Sequence, residues 1–220
     1  MRASGILLPV SSLPGKYGIG SFSEEAYKFV DFLKDSKQQY WQILPIGPTS
    51  YGDSPYQSFS TYAGNPYFIS LEELIEQGLL TEKECDKVDF GDKIDKVDYE
   101  KLYNGRFKLL KKAYKRSNIR EREEFKKFKD ENQYWLNDYA MFMAIKERFK
   151  GQSFDNWAED IKLRWGYSME YYQNELKEEI EFYEFVQYEF YRQWYKLKKY
   201  ANDNGVKIIG DIPIYVAYDS

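Results

Sequence analysis

The sequence predicts an α/β fold with parallel strands, and three short apolar runs support this prediction. The runs lie at 4–9, 40–44 and 206–210. A segment with helical spacing separates the first run from the second, so that strand, helix and strand make a βαβ unit. The third run follows another long helical segment. Strands that alternate with helices in this way are typical of α/β proteins.

The first helix is predicted to begin after Ser23. A serine hydroxyl can accept a hydrogen bond from an amide at a helix start, and Glu24 and Glu25 in the first turn complement the helix dipole. Apolar residues then follow at a spacing of three or four, as in a helix that covers a core. These residues are Ala26, Phe29, Val30 and Leu33.

A largely helical block is predicted between the second and third strands. Helices are expected at 71–77, 99–115, 121–129, 132–150 and from about 169 to 201, with irregular stretches at 79–98 and 151–167. The Lys- and Glu-rich faces of these helices are interpreted as solvent surface, and Cys85, in a polar stretch, as incidental. The last helix carries a continuous apolar stripe that is predicted to be core. Its members are Leu176, Ile180, Tyr183, Val186, Phe190, Trp194, Leu197 and Ala201.

Size and charge exclude several classes of function. The chain has 220 residues, of which 43% are hydrophobic and 31% charged, and this is enough to bury a core. The net charge of −4 argues against a nucleic-acid partner. The sequence contains no signal peptide and no long apolar span, so we expect a cytoplasmic protein without a membrane partner.

The absence of histidine narrows the chemistry further. Within this segment it excludes a Ser-His-Asp triad and a Cys-His pair, and it removes the commonest zinc ligand. The one cysteine, Cys85, cannot form an internal disulfide. The sequence has no metal-ligand spacing and no phosphate-binding glycine loop, so no metal or cofactor is expected. Any acid–base chemistry must come from carboxylates, Tyr or Lys.

The loop at 45–66, PIGPTSYGDSPYQSFSTYAGNP, is the segment that least resembles packing. It is rich in Gly, Pro, Ser and aromatic residues, and Asp53 is its only charged residue. Aromatic rings beside hydroxyls and amides suit a sugar, because rings stack on the apolar faces of pyranoses and polar groups bond the sugar hydroxyls. The alternative is an ordered proline-rich loop that packs on its own aromatic residues.

Asp211 follows the third apolar run directly. In parallel α/β folds the ligand site lies beyond the carboxyl ends of the strands, so the segments 11–20, 45–66 and 211–220 are predicted to meet there. Asp211 could hydrogen-bond a substrate hydroxyl, or it could accept backbone amides and hold a loop.

Several segments, in order along the whole chain, resemble the 4-α-glucanotransferase family of the amylomaltase or disproportionating type. They are SSLPG at 11–15, YGIG at 17–20, YWQILP at 40–45, YGDSPYQSFS at 51–60, GNPY at 64–67 and GDIPI at 210–214. The GDSPYQSFS run is long and specific. The resemblance implies the N-terminal part of a (β/α)8 TIM barrel, with its first three parallel strands and a large, mostly helical insertion between strands 2 and 3.

The resemblance also implies a division of the chain into three parts. Residues 1–50 would form the start of the barrel, as β1, α1 and β2. Residues 51–168 would form the aromatic substrate loop and the helical insertion. Residues 169–220 would form the long helix, the third barrel strand and the start of its loop.

The activity that the resemblance implies is transfer of α-1,4-glucan segments between maltooligosaccharides or starch- and glycogen-type glucans. It would proceed with retention, through a covalent glucosyl-enzyme and without a cofactor. The family's nucleophile, acid/base and third active-site carboxylate lie beyond Ser220. No catalytic residue is therefore expected in this chain, which alone should be inactive, and neither Asp53 nor Asp211 takes those roles.

Matching positions imply binding roles instead. Ser54 and Tyr56 would line the acceptor side of the cleft, and Asp211 would bind the sugar near the bond being broken. Tyr51 and Tyr103 would hold glucan at a second site away from the chemistry.

Two alternatives stay open at the level of sequence. A non-catalytic glucan-binding or interaction module would keep the aromatic loop and the helical block. A hydrolase of the α-amylase type fits a barrel, but it fits the GDSPYQSFS run less well. An exposed edge of the parallel sheet could also pair with a second copy of the chain.

Overall fold

The computed structural model describes residues 2–49, 52–93, 95–214 and 217–220. Within these ranges, most residues are helical, and seven of the eight α-helices lie between the second and third strands. The elements are β1 (Gly5–Leu7), α1 (Glu24–Asp35), β2 (Tyr40–Gln42), α2 (Leu71–Glu76), α3 (Glu82–Asp86), α4 (Tyr99–Arg116), α5 (Glu123–Arg148), α6 (Glu159–Lys162), α7 (Gly166–Glu175), α8 (Lys177–Asp203) and β3 (Lys207–Ile209).

The three strands form one parallel sheet in the order β1-β2-β3, which confirms the predicted α/β fold with parallel strands. The register pairs Leu7 with Gln42 and Gln42 with Ile209. The strands therefore end side by side, and the chain leaves all three at the same edge of the sheet.

One face of the sheet packs on the helices. Trp41, in the middle strand, is fully buried and meets the ring of Phe29 from α1 edge-on at 5.1 Å. Its indole N–H donates to the carbonyl of Leu8 at 2.8 Å, so the buried polar atom is satisfied. Leu7 and Ile209 point to the opposite face and remain 54% and 43% exposed. The alternation follows from the two-residue period of a strand.

Helix α8 carries the core stripe that the sequence predicts. Six members of that stripe are buried, five of them on α8 and Leu176 directly before it, and Ile180 and Trp194 are partly buried against the same core. The helix is shorter than predicted, because Leu176 leaves helical geometry at φ −104° and ψ 23° and separates α7 from α8. The predicted helices at 121–129 and 132–150 are instead one continuous helix, α5.

Other sequence-based expectations were wrong in ways that have physical causes. The stretch at 79–98 is not wholly irregular, because Thr81 and Glu84 form a reciprocal capping box that starts α3. Cys85 on that helix is fully buried in the core rather than incidental. Ser23 occupies the N-cap of α1 but makes no capping hydrogen bond through its side chain. The stretch at 151–167 contains α6 and the first residues of α7.

The polar faces of the helices are not solvent surface throughout. Lys146 on α5 and Glu184 and Glu189 on α8 are buried, which contradicts the interpretation of these faces as solvated. Buried charges require partners, and Glu184 is paired with Lys129 at 2.6 Å and Glu189 with Arg192 at 2.8 Å.

Among the described residues, no helix combines the length and apolar character needed to span a membrane.

The end of the 45–66 loop is fastened to α8 by a buried amide. Gln187 accepts the N–H of Gly64 at 2.7 Å and donates to its carbonyl at 3.0 Å. A Cβ added to Gly64 would lie 2.1 Å from ring carbons of Phe190, so only glycine fits here. The Asn65 N–H donates to the Ile46 carbonyl at 2.8 Å and closes the base of the loop.

This contact leads to a stability prediction. We expect Gly64→Ala to lower the free energy of unfolding by about 2 kcal/mol or more, because the methyl group overpacks the Phe190 ring and pulls the backbone off Gln187. Urea unfolding followed by circular dichroism measures this change. The matched control is Gly166→Ala at the start of α7, where an added Cβ meets nothing within 4 Å; a change within about 0.5 kcal/mol is expected there. Equal effects of the two substitutions would contradict the close approach.

Candidate functional site

The loops that follow β2 and β3 meet through side chains and backbone. The Tyr56 hydroxyl, from the 45–66 loop, donates to Oδ2 of Asp211 at 2.7 Å. The Ala217 N–H, further along the second loop, donates to the Ser58 carbonyl at 3.2 Å. Two residues that sequence reasoning singled out, Tyr56 and Asp211, are therefore in direct contact, as expected for strand ends that share one edge of a sheet.

Asp211 is oriented by its own loop as well as by Tyr56. Its Oδ1 accepts the N–H of Ile212 at 2.8 Å, so each carboxylate oxygen has one partner from the protein. The sequence left open whether Asp211 bonds a substrate hydroxyl or accepts backbone amides and holds a loop. The structure shows one contact with a backbone amide, of Ile212, and one with the hydroxyl of Tyr56. A carboxylate offers about four acceptor positions, so further positions remain for a ligand hydroxyl.

The local backbone explains how Tyr56 reaches Asp211. The Ser54 carbonyl accepts the N–H of Gln57 at 3.1 Å, and the Ser54 hydroxyl accepts the N–H of Tyr56 at 3.3 Å. These two bonds form a turn over residues 54–57, and Tyr56 lies within it. Ser54 is partly buried, whereas the Tyr56 side chain is 45% exposed. A half-exposed ring whose hydroxyl is already held presents one apolar surface in a defined orientation.

The contact also changes the acidity of Tyr56. The pKa of the Tyr56 phenol is raised, mainly because its O–H is hydrogen-bonded to the Asp211 carboxylate and secondarily because burial disfavours the phenolate. Deprotonation would break the hydrogen bond and place two negative charges together. The phenol therefore stays a donor to Asp211 throughout the neutral range.

Asp53 occupies a different environment in the same loop. It has a positive φ of 54°, and burial raises the pKa of its carboxyl, with a hydrogen bond to Thr49 acting in the opposite direction. It lines a small cavity of about 40 Å³ together with Pro9, Ile19 and Tyr99. Its charge raises the pKa of Tyr99 after the larger effect of burial. Asp53 therefore faces α4 and the first loop.

The first strand-end segment, 11–20, lines a wide groove of about 1460 Å³. The other walls come from α2, including Glu72 and Glu73, and from Phe90 and Tyr99. Ser11 lines both this groove and the Asp53 cavity. This groove has acidic and lysine side chains on its walls, unlike the hydroxyl- and aromatic-rich loop around Tyr56.

Of the two residues predicted for a second glucan site, the structure describes only Tyr103. Tyr103 lies on α4, is 54% exposed and packs on Phe107 with ring centroids 4.9 Å apart. Burial of its hydroxyl is the main cause of a raised Tyr103 pKa. Tyr51 lies outside the described residues. The pairing of these two tyrosines therefore stays a prediction.

Sequence reasoning missed a group of residues next to the site. Lys146, near the end of α5, is buried and contacts the Asp219 carboxylate from the loop after β3. Its ammonium also lies 5.1 Å from the ring centroid of Phe59 in the 45–66 loop. The sequence held a sign of this burial, because Lys146 directly follows the apolar run AMFMAI and so interrupts a buried face.

Among the described residues, no group of three or more Cys, Asp and Glu side chains is arranged to hold a metal ion.

The fold and this site define an α/β protein whose parallel strand ends present an exposed tyrosine, hydroxyl groups and an oriented carboxylate. Such an edge suits a polyhydroxylated ligand. A family model described as 4-alpha-glucanotransferase matches residues 8–220. The chain belongs to the 4-alpha-glucanotransferase family.

Sequence relatives support the same assignment. The chain is 52% identical to a 4-alpha-glucanotransferase of Clostridium butyricum over 211 residues, which cover 96% of this chain and 43% of the relative. It is also 52% identical to the 4-alpha-glucanotransferase of Streptococcus pneumoniae serotype 4, with 100% and 44% covered. The chain thus spans about 44% of the length of the curated relatives that it matches.

Solved structures show the same fold. The amylomaltase from Streptococcus agalactiae in complex with acarbose aligns with a TM-score of 0.94 at 44% identity, covering 100% of this chain and 45% of that chain. The amylomaltase from Corynebacterium glutamicum aligns with a TM-score of 0.71 at 21% identity, covering 97% and 30%, and this second likeness shows the fold alone.

The Tyr56–Asp211 hydrogen bond leads to a titration prediction. In Asp211→Asn the carboxylate charge is lost, so the pKa of Tyr56 is expected to fall back toward the usual tyrosine range. NMR of tyrosine labelled at Cζ, with the resonance assigned through Tyr56→Phe, measures the midpoint. Asp31→Asn serves as a control, because Asp31 raises the pKa of Tyr200 through an equivalent hydrogen bond and should leave Tyr56 unchanged. An unaltered Tyr56 midpoint in Asp211→Asn would exclude the contact in solution.

Proposed function

We propose that this chain forms part of a 4-α-glucanotransferase, which transfers α-1,4-glucan segments between maltooligosaccharides or starch- and glycogen-type glucans with retention. The observation that carries the proposal is the Tyr56–Asp211 contact. It joins, at the carboxyl edge of the sheet, two segments that sequence analysis associates with a sugar. Membership of the family and the names of its relatives supply the reaction type.

The proposed binding roles are those that the family resemblance implies, and the contacts of Asp211 and Tyr56 support two of them. Asp211 accepts hydroxyl hydrogen bonds from the sugar near the scissile bond, since its carboxylate is held in place and retains acceptor positions. Tyr56 and Ser54 line the acceptor side, and the exposed Tyr56 ring supplies an apolar surface for a pyranose face. Tyr51 and Tyr103 form a second glucan site. No residue of 1–220 acts as nucleophile or acid/base.

The proposed architecture is the first part of a (β/α)8 barrel. The parallel register supports it, as does the exposure of Leu7 and Ile209 on the sheet face away from the helices. In the proposed division, residues 1–50 begin the barrel, 51–168 form the substrate loop and a helical insertion, and 169–220 return to the third strand. A cytoplasmic location and pairing of the sheet edge with a second copy are further parts of the proposal, and both rest on the sequence pattern.

Transfer of a glucan segment requires two displacements at one anomeric carbon. A carboxylate first displaces the leaving sugar and forms a glycosyl ester, and an acceptor hydroxyl then attacks the same carbon, which restores the original configuration. Water competes in the second step. An acceptor sugar held on a tyrosine surface reacts as a bound neighbour at high effective concentration, so transfer exceeds hydrolysis.

The experiment that tests this proposal uses the protein from the complete reading frame containing this chain, incubated with maltotriose. Longer oligosaccharides are expected without a matching rise in reducing ends, because transfer makes one glycosidic bond for each bond broken. Tyr56→Ala is expected to lower the ratio of transfer to hydrolysis about tenfold, because acceptor binding is lost while water still reacts. Tyr171→Ala, on α7 and 58% exposed, is the matched control.

The outcomes separate the hypotheses. An unchanged ratio in Tyr56→Ala removes the acceptor role from Tyr56. Maltotriose binding without any product favours a non-catalytic glucan-binding module, and products that rise only with reducing ends favour a hydrolase.

The polypeptide 1–220 gives an independent prediction. Expressed alone, it is expected to form no longer oligosaccharides from maltotriose, because no residue within it is assigned as nucleophile or acid/base. Chromatography of the products after prolonged incubation measures this. Transfer at a rate comparable to that of a complete enzyme would show that the catalytic residues lie within this chain.

A further inference from the structure

Lys146 is a buried ammonium group at the point where three segments meet. The residue is 8% exposed. It pairs with the Asp219 carboxylate, and its Nζ donates to the Gln152 carbonyl at 3.4 Å. Its remaining surroundings are aromatic, with ring centroids of Phe59 at 5.1 Å and Phe142 at 5.8 Å. An ammonium has three N–H donors, and two of them have oxygen acceptors here, on Asp219 and Gln152.

A charged group is costly to bury, so moving its partners away from Lys146 would be unfavourable. A desolvated charge that loses its counterion has no water to replace it. The partners of Lys146 come from α5 itself, from the 45–66 loop through Phe59 and from the loop after β3 through Asp219. A single charge therefore opposes separation of the two loops that carry Tyr56 and Asp211.

Asp219 extends the link into a third part of the chain. Its Oδ1 accepts the N–H of Phe154 at 3.0 Å, and the ring of Phe154 stacks on Tyr218 at 5.9 Å. The Ala217 N–H then donates to the Ser58 carbonyl at 3.2 Å, one residue before Phe59. The loop after β3 is therefore held at Asp219, by Lys146, and at Ala217, by the backbone of the 45–66 loop.

We infer that Lys146 is a positioning residue for the glucan site: its contacts with Asp219 and Phe59 hold the two loops in the arrangement that places Tyr56 against Asp211. Its role as a support of ligand binding rests on the proposed function, whereas its role in loop geometry does not. Lys146 does not touch the ligand, and its effect is exerted through Tyr56 and Asp211.

A second lysine on the same helix provides a matched control. Lys129 on α5 pairs with the buried carboxylate of Glu184 at 2.6 Å, and its Nζ lies 5.6 Å from the Phe125 ring centroid. It thus combines a carboxylate and an aromatic ring, as Lys146 does, but its partners belong to α8 and α5 and not to the two loops. Loss of Lys129 reports what a structural ion pair on this helix contributes by itself.

The experiment compares Lys146→Met with Lys129→Met in the protein from the complete reading frame, using hydrogen exchange of backbone amides. The Ala217 amide, which bonds to Ser58 and not to Lys146, is the reporter. Its exchange is expected to accelerate about tenfold or more in Lys146→Met and to stay unchanged in Lys129→Met. Equal exchange of this amide in both variants and the unaltered protein overturns the proposal, whether or not the protein binds glucan.

Kinetics with maltotriose supply the functional readout. Lys146→Met is expected to raise KM about fivefold or more relative to Lys129→Met, and Lys146→Arg is expected to recover part of this loss because it restores the charge. If the unaltered protein neither binds nor transforms maltotriose, the proposed function fails, and the exchange data still decide the positioning role. If Lys146→Met does not fold, Asp219→Asn replaces it, since that substitution weakens the same pair at a partly exposed position. An Ala217 amide in Asp219→Asn that exchanges as in the unaltered protein likewise overturns the proposal.

Discussion

The parallel pairing of β2 with β3 is the constraint on which the rest of the site depends. It places Gln42 beside Ile209, so the loops that follow start next to each other although Tyr56 and Asp211 are 155 residues apart in sequence. Closing a segment of that length costs conformational entropy. The cost is offset by the helical core between the strands, chiefly by α8, which packs along α5 and returns the chain to the sheet.

Two glutamine side chains that are buried on α8 hydrogen-bond the backbone where the 45–66 loop leads into α2. Gln187 satisfies both backbone groups of Gly64, and Gln193 accepts the N–H of Ser70 at 2.7 Å. These amides bond the backbone at both ends of the segment 64–70, where the chain passes from the aromatic loop into α2. The Gln187 amide is bonded through both its oxygen and its nitrogen, and a buried amide satisfied in this way fixes register in a way that apolar packing does not. The aromatic loop is therefore attached to a rigid helix at its base, while Tyr56 stays exposed at its tip.

The sequence allowed prediction of the features that are encoded locally. Three apolar runs predicted the strands, and the step of three or four in α8 predicted its buried face. Polar residues whose environment depends on distant segments could not be predicted in this way. The sequence around Lys146 does not indicate that Asp219 and Phe59 surround its ammonium group. The burial of Cys85 follows from the packing of α3 and not from its polar neighbours. Helix ends were also missed where no glycine or proline marks them, as at Leu176.

The contact between Tyr56 and Asp211 could be taken to block the site, but the geometry argues otherwise. Each oxygen of Asp211 accepts one hydrogen bond from the protein, so about half of the acceptor positions of the carboxylate are unused. The two existing bonds hold the carboxylate plane, and the raised pKa of Tyr56 keeps its phenol a donor. A sugar hydroxyl that binds Asp211 would therefore meet an acceptor already oriented, with the Tyr56 ring beside it. Preorganisation of this kind would reduce the entropy lost on binding at the proposed site.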